Sequence, residues 1–240
     1  MRKKENMKNS TKKLAVIIDA DNAQAGAIEG LLQEIARFGI SFVRKAYGDW
    51  TTSNLNGWKD VLHRFAIQPV QQFGYTKGKN STDASMIIDA MDMLYSKNYD
   101  GFCIVSSDSD FTRLATRIRQ EGLSVYGFGE RKTPEAFIAA CDAFVYVENI
   151  LDHKKQSVSP SEKEKLQTII CRAIDSVSAD DGWAALSAVG HHIMKNNPDF
   201  DARNYGHLKL GKLVEDLDYI DVEHRPDKNS RIIHIFIRSH

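Results

Sequence analysis

Apolar positions fall in short runs that alternate with stretches of helical spacing. LAVII (14–18), ISFVRKAY (40–47), QPVQQF (68–73), GFCIVSS (101–107), LSVYGF (123–128) and FVYV (144–147) are β-branched or aromatic and read as strands. Between them, Ile28, Leu31, Leu32 and Ile35 recur at helical intervals, as do Trp58, Val61, Leu62 and Phe65. Ala84, Ile87, Ile88 and Met91 form a third such face, and Phe111, Leu114 and Ile118 a fourth. Gly39 and Gly122 follow the last apolar positions of two of these helices, where a left-handed residue is expected. Regular strand–helix alternation predicts an α/β fold, a parallel sheet flanked by helices.

The grammar changes after residue 150. HKKQSVSPSE (153–162) lacks apolar periodicity and reads as a linker. Beyond it Leu166, Ile169, Ile170 and Ile174, then Leu186, Val189 and Ile193, then Leu208, Leu213 and Leu217 predict three helices with core-facing stripes. YIDVEH and RIIHIFIR come next, with the turn-forming RPDKNS between them. Three helices and a β-hairpin are the layout of a small winged helix-turn-helix. The expected organisation is therefore a basic flexible tail at 1–13, an α/β domain at 14–150, a linker at 151–161 and a winged helix at 162–240.

Composition narrows the class. With 42% hydrophobic and 27% charged residues among 240, the chain has enough apolar material for a core, which excludes disorder and disulfide scaffolds. Thirty-two Lys and Arg balance thirty-two Asp and Glu, so a nucleic-acid role has to rest on local patches. Cys103, Cys141 and Cys171 form no CxxC pair, and no apolar run approaches the ~20 residues of a membrane span. No signal peptide is evident, and a cytoplasmic location is expected.

The acids carry the chemistry. Asp19 and Asp21 follow the first strand in IIDADN, Asp83 and Asp89 lie in KGKNSTDASMIIDA, and Asp108 and Asp110 follow a strand in IVSSDSDF. Strand ends of an open parallel sheet line the crevice where ligands bind, so acids from three segments can converge there. Convergent carboxylates need protons or cations to offset them, and hard oxygen donors suit Mg²⁺ or Mn²⁺. Taken singly, Asp83 or Asp110 could be a helix cap, and Asp89 and Asp92 could be solvated helix charges. Asp19, directly after LAVII, is different, because it ends a strand expected to be buried.

In order, IIDADN, RKAYGDW, KGKNSTDASMIIDA, IVSSDSDFTRLATRIRQEG and VYGFGERKTPEAF resemble the NYN domain, a branch of the PIN-like metal-dependent ribonucleases that includes the LabA-like proteins. The resemblance runs from about residue 14 to 148. It implies a PIN-like sheet with an acidic pocket that binds Mg²⁺ or Mn²⁺ and cleaves RNA, with Asp19, Asp83 and Asp108 as metal ligands and Asp110 as a further catalytic acid. Asn22 matches the amide that closes the first motif. The family often has a small residue such as Gly at the position of Ala20 or Asp21, and here Asp21 adds an extra carboxylate.

For substrate, Lys77, Lys79 and Arg113 are candidate phosphate contacts, with Arg117, Arg131 and Lys132 on segments expected to follow the same sheet edge. Ser107, with Ser106 and Ser109, is a candidate for positioning phosphate or water, or else a plain turn residue. Trp50, Tyr47 and Tyr75 could stack unpaired bases or serve as packing. The stretch DGWAALSAVGHHIMKNNPDFDARNYGHLKLGKLVEDLDYIDVEH resembles the OST-HTH (LOTUS) winged helix, which implies RNA binding or protein docking. Its candidate RNA contacts are Arg203, Lys209, Lys212, Lys228 and Arg231. The expected function is a metal-dependent ribonuclease, the alternative a catalytically silent RNA-binding adaptor, and homodimer formation stays open. A haloacid-dehalogenase-type phosphotransferase is disfavoured, because no late acidic pair follows a strand.

Overall fold

The computed structural model describes residues 11–73, 81–151, 159–227 and 233–240. The chain divides into two compact units, one holding most of the chain up to Leu151, the other most of the chain beyond it.

Six strands form the first sheet: β1 (Lys13–Asp19), β2 (Ile40–Gly48), β3 (Gln68–Gln71), β4 (Gly101–Val105), β5 (Ser124–Gly129) and β6 (Ala143–Tyr146). Their order is β3-β2-β1-β4-β5-β6, a parallel arrangement with helices between the strands. These helices are α1 (Ile28–Ile35), α2 (Trp58–Arg64), α3 (Ser81–Tyr95), α4 (Thr112–Gln120), α5 (Glu135–Ala139) and α6 (Glu148–Leu151). Leu14 to Ile18 of β1 are fully buried, as are Phe102, Cys103 and Ile104 of β4, the continuous burial expected of central parallel strands. From β1 the chain winds to β2 and β3 on one side and then crosses to β4, β5 and β6 on the other. The reversal sits between β1 and β4, and their carboxyl ends open the crevice where such sheets bind ligands.

Several sequence expectations need correction. Ala84 and Ile88 of α3 are exposed, Ile88 at 64%, and the buried face is Met86, Ala90, Met93 and Leu94. α3 carries apolar residues on more than one side, so spacing alone could not choose. Gly122 does adopt the left-handed conformation (φ +80°), but Gly39 does not. A Cβ on Gly39 would lie 2.4 Å from the Lys12 carbonyl oxygen, so that glycine serves close approach. The end of the expected flexible tail is tied down: Lys13 begins β1, and the Lys12 ammonium donates to Ser124 and Tyr126 at 2.8 and 2.9 Å.

The second unit comprises α7 (Pro160–Val177), β7 (Ala184–Ala185), α8 (Leu186–Asn196), α9 (Leu210–Glu215), β8 (Ile220–Pro226) and β9 (Ile233–Ser239). Its antiparallel sheet has the order β7-β9-β8. Ser159 and Pro160, expected to belong to a linker, start α7 instead: Ser159 and Glu162 close a capping box and Pro160 takes the first helical turn. Leu166, Ile170, Val189, Ile193, Leu213 and Ile237 form its core. Leu213 belongs to the expected third stripe, but Leu208 lies ahead of α9 and is 79% exposed.

Candidate metal centre

Asp19 ends the buried β1 and has no exposed surface. Its Oδ2 accepts hydrogen bonds from the Asn22 amide at 2.7 Å and the Ser106 hydroxyl at 2.9 Å. The turn that brings Asn22 back closes on the Asp19 carbonyl, which accepts from the Asn22 and Ala23 amides. Oδ1 of Asp19 is buried and has no hydrogen-bond partner among the described residues. A buried carboxylate oxygen without a donor is costly. Burial pushes the Asp19 carboxyl above its ordinary range, Asn22 and Ser106 pull it down, and Asp21 adds to the rise.

Ser106 follows β4 and links two acids. While donating to Asp19, its oxygen accepts from the Asp108 amide at 3.1 Å. Asp108 caps the helical turn that runs into α4, with Oδ1 accepting from the Asp110 amide at 2.9 Å. Asp83 lies in the first turn of α3. Carboxylate oxygens of Asp83, Asp108 and Asp110 all lie within 4.8 Å of one another. Desolvation raises the Asp83 carboxyl to about 6, and the charges of Asp19, Asp108, Asp110 and Asp21 add to the rise. Asp19, Asp21, Asp83 and Asp108 make no ion pair among the described residues.

Three of the four expected catalytic acids thus meet in one group, with Asp19 buried beside it rather than within the 4.8 Å set. Asp21 is exposed in the turn after β1 and accepts from the Thr82 hydroxyl at 2.9 Å, so it does not continue the strand alternation. Asp89 is neither in the group nor a free surface charge: Lys45 and Tyr47 donate to its Oδ2 at 2.7 and 2.5 Å, which joins α3 to β2. Tyr47 is fully buried and therefore offers no stacking face. The Ser107 hydroxyl accepts from the Glu130 amide at 2.8 Å, and of the candidate serines it is Ser106 that bonds Asp19. Only burial separates those two serines, and the string SSDSD does not announce it.

Arg113 projects from the first turn of α4, exposed and without an ion pair among the described residues. Arg117 is paired with Glu121 and Lys132 with Glu130, each at 2.7 Å, and Arg131 stacks on Tyr146. The indole nitrogen of Trp50 donates to the Val70 carbonyl at 3.0 Å and its ring packs edge-on to Trp58. In the winged helix, Arg203 grips Asp201 with two nitrogens and Lys212 pairs with Glu215 at 2.6 Å, whereas Lys209 is exposed ahead of α9. Lys77, Lys79, Tyr75, Lys228 and Arg231 lie outside the described residues.

The donor set is all carboxylate, hard oxygen from three segments at the reversal of the sheet. Together with the orphaned Asp19 oxygen, it fits a divalent ion such as Mg²⁺ or Mn²⁺.

Family comparison agrees with this fold. The NYN domain matches residues 13–151, and the OST-HTH/LOTUS domain matches residues 157–232. The chain belongs to the NYN domain family, a PIN-like nuclease family, with an OST-HTH/LOTUS domain behind it. No curated protein matches it. Similar solved structures include a protein of unknown function from Vibrio parahaemolyticus, 21% identical, covering 61% of this chain and 96% of its own, at a TM-score of 0.46. An uncharacterized protein from Nitrosomonas europaea is 30% identical over 36% of this chain and 78% of its own, at 0.31. A Chromobacterium violaceum protein is 37% identical over 36% of this chain and 87% of its own, at 0.27. No helix among the described residues is long and apolar enough to cross a membrane.

Proposed function

We propose that the chain is a divalent-metal-dependent ribonuclease, with residues 14–150 as the cleaving domain and 162–240 as an RNA-recruiting winged helix. The observation that carries this reading is the convergence of Asp83, Asp108 and Asp110 beside a buried Asp19 whose Oδ1 has no donor among the described residues. Asp19, Asp83 and Asp108 hold the ion, and Asp110 completes the acidic rim. When bound, Mg²⁺ or Mn²⁺ neutralises charge building on the scissile phosphate and makes the attacking water more acidic.

The chain's own residues do the rest. Asn22 and Ser106 occupy Oδ2 of Asp19, which leaves Oδ1 as its unsatisfied atom. Capping by Asp108 fixes that carboxylate through one oxygen and leaves the other for the site. Arg113 supplies a cation for the RNA backbone, with Lys77 and Lys79 as further phosphate contacts, while Ser107 and Trp50 border the substrate path. Lys209 is the strongest of the helix contacts proposed for RNA, because Arg203 and Lys212 already hold carboxylates.

Labelled single-stranded and hairpin RNAs incubated with the protein in Mn²⁺, Mg²⁺ or EDTA test the reading. Cleavage that needs the metal and disappears in an Asp19→Asn/Asp108→Asn variant is the expected result. RNA retention without cleavage under every condition would replace it with the silent adaptor.

A further inference from the structure

The outward face of the winged-helix sheet carries an arrangement that the acid site does not use. Register between β8 and β9 sets Asp221 opposite Arg238, Glu223 opposite Phe236 and Arg225 opposite His234, while Val222 opposite Ile237 faces the core. Side chains alternate along a strand, so the first three pairs share the other face. The guanidinium carbon of Arg225 lies 4.3 Å from the centroid of Phe236 and 5.2 Å from that of Trp183, and that of Arg238 lies 4.8 Å from Trp183. Phe236, Arg225, Trp183 and Arg238 thus place two aromatic rings and two guanidiniums against one another. Gly182, at φ +78°, makes the turn that sets Trp183 down there, and a Cβ at that position would lie 3.3 Å from Arg238 Cδ.

Neither aromatic ring packs into the core of this unit. Glu223 accepts from Nε and Nη2 of Arg225 at 3.0 and 2.8 Å, and Asp221 from Nη2 of Arg238 at 2.8 Å. Each guanidinium is held by one carboxylate, yet the arginine side chains stay 36% and 44% exposed. Ordered aromatic and guanidinium planes at a solvent-facing sheet are what unpaired bases stack on.

From this we infer that the outward face of β8 and β9, centred on Trp183, is a stacking platform for unpaired bases of single-stranded RNA. The inference rests on the RNA reading above and extends it to a surface outside the helix contacts. Carboxylates hold both arginines, with Asp181 adding its charge beside Arg225, so the platform contributes stacking rather than charge.

Fluorescence anisotropy of a labelled, unstructured RNA, with the full chain in EDTA over a series of salt concentrations, tests this. Trp183→Ala is expected to weaken binding at least about five-fold with the salt slope unchanged, and Trp183→Phe to keep most of the affinity. Lys209→Ala is expected to lower the slope instead. Ultraviolet crosslinking of the unsubstituted chain, with peptide mapping, gives a readout that does not depend on how the variants fold, and crosslinks at Trp183 or Phe236 are expected. Unchanged affinity in Trp183→Ala with crosslinks elsewhere overturns the platform and leaves the nuclease reading standing. Equal competition by blunt duplex RNA, whose bases are already stacked, also overturns it. A full chain that binds no RNA at all overturns both.

Discussion

Asp83 and Asp221 are the same residue type in opposite circumstances. Asp83 faces other carboxylates at the mouth of the six-stranded sheet, and desolvation with their repulsion lifts it to about 6. Asp221 lies on the winged-helix sheet, where the hydrogen bond from Arg238 holds it below its ordinary value. Glu215, bonded to Lys212, and Glu130, bonded to Lys132, are lowered in the same way. Asp221, Glu215 and Glu130 each have a cation beside them. Asp19, Asp83 and Asp108 converge with no ion pair among the described residues, and the folded state carries the repulsion that lifts Asp83, which on the proposed reading a divalent ion relieves.

Removing a convergent acid should have the largest effect. Asp19→Asn or Asp108→Asn should reduce RNA cleavage by more than the about 100-fold that outer-shell partners of a metal control. The measurement is an initial rate in Mn²⁺ with circular dichroism as the folding check, and near-normal rates in either variant would break the contrast. Next come the groups that orient Asp19. Ser106→Ala or Asn22→Ala should cost about 10- to 100-fold in cleavage, with added Mn²⁺ recovering part of the loss.

Thermal unfolding of the metal-free protein sharpens the same comparison. Asp83 holds its proton in the folded state up to about pH 6, whereas the unfolded chain releases it near 3.8. Stability from this group is therefore present at low pH, falls as pH rises between those values and is fully lost above 6. Asp83→Asn should raise Tm by about a few degrees at pH 7.5, and the gain should shrink as pH falls below 6 and vanish below 3.8. Metal binding requires the deprotonated acid, so Mn²⁺ affinity should weaken as pH falls through 6. The smallest effect belongs to the paired acid: Asp221→Asn should lower Tm by about a degree or two, because its exposed pair contributes little.

Much of this was legible in the sequence, for identifiable reasons. Six apolar runs became six strands, since β-branched runs bounded by turn residues have few other uses, and acids placed directly after LAVII and GFCIV had to lie at strand ends. What stayed hidden depended on a choice among equivalents. Apolar residues on several sides of α3 left its buried face undecided, and Ser106 and Ser107 differ only in which one the end of β4 buries. Cap candidates were equally ambiguous: Asp108, rather than Asp83 or Asp110, caps the turn into α4. Pairings between distant segments were out of reach altogether. Lys45 and Tyr47 on Asp89, and the arginines over Trp183, come together only once strand order and register are set.

Titration of Mn²⁺ into the metal-free chain by isothermal calorimetry at pH 7.5, beside Asp108→Asn and Asp221→Asn, tests the central claim most directly. The account predicts binding by the unsubstituted chain and by Asp221→Asn, with binding by Asp108→Asn abolished or strongly weakened. Failure of the unsubstituted chain to bind Mn²⁺, or equal binding by Asp108→Asn, would contradict it.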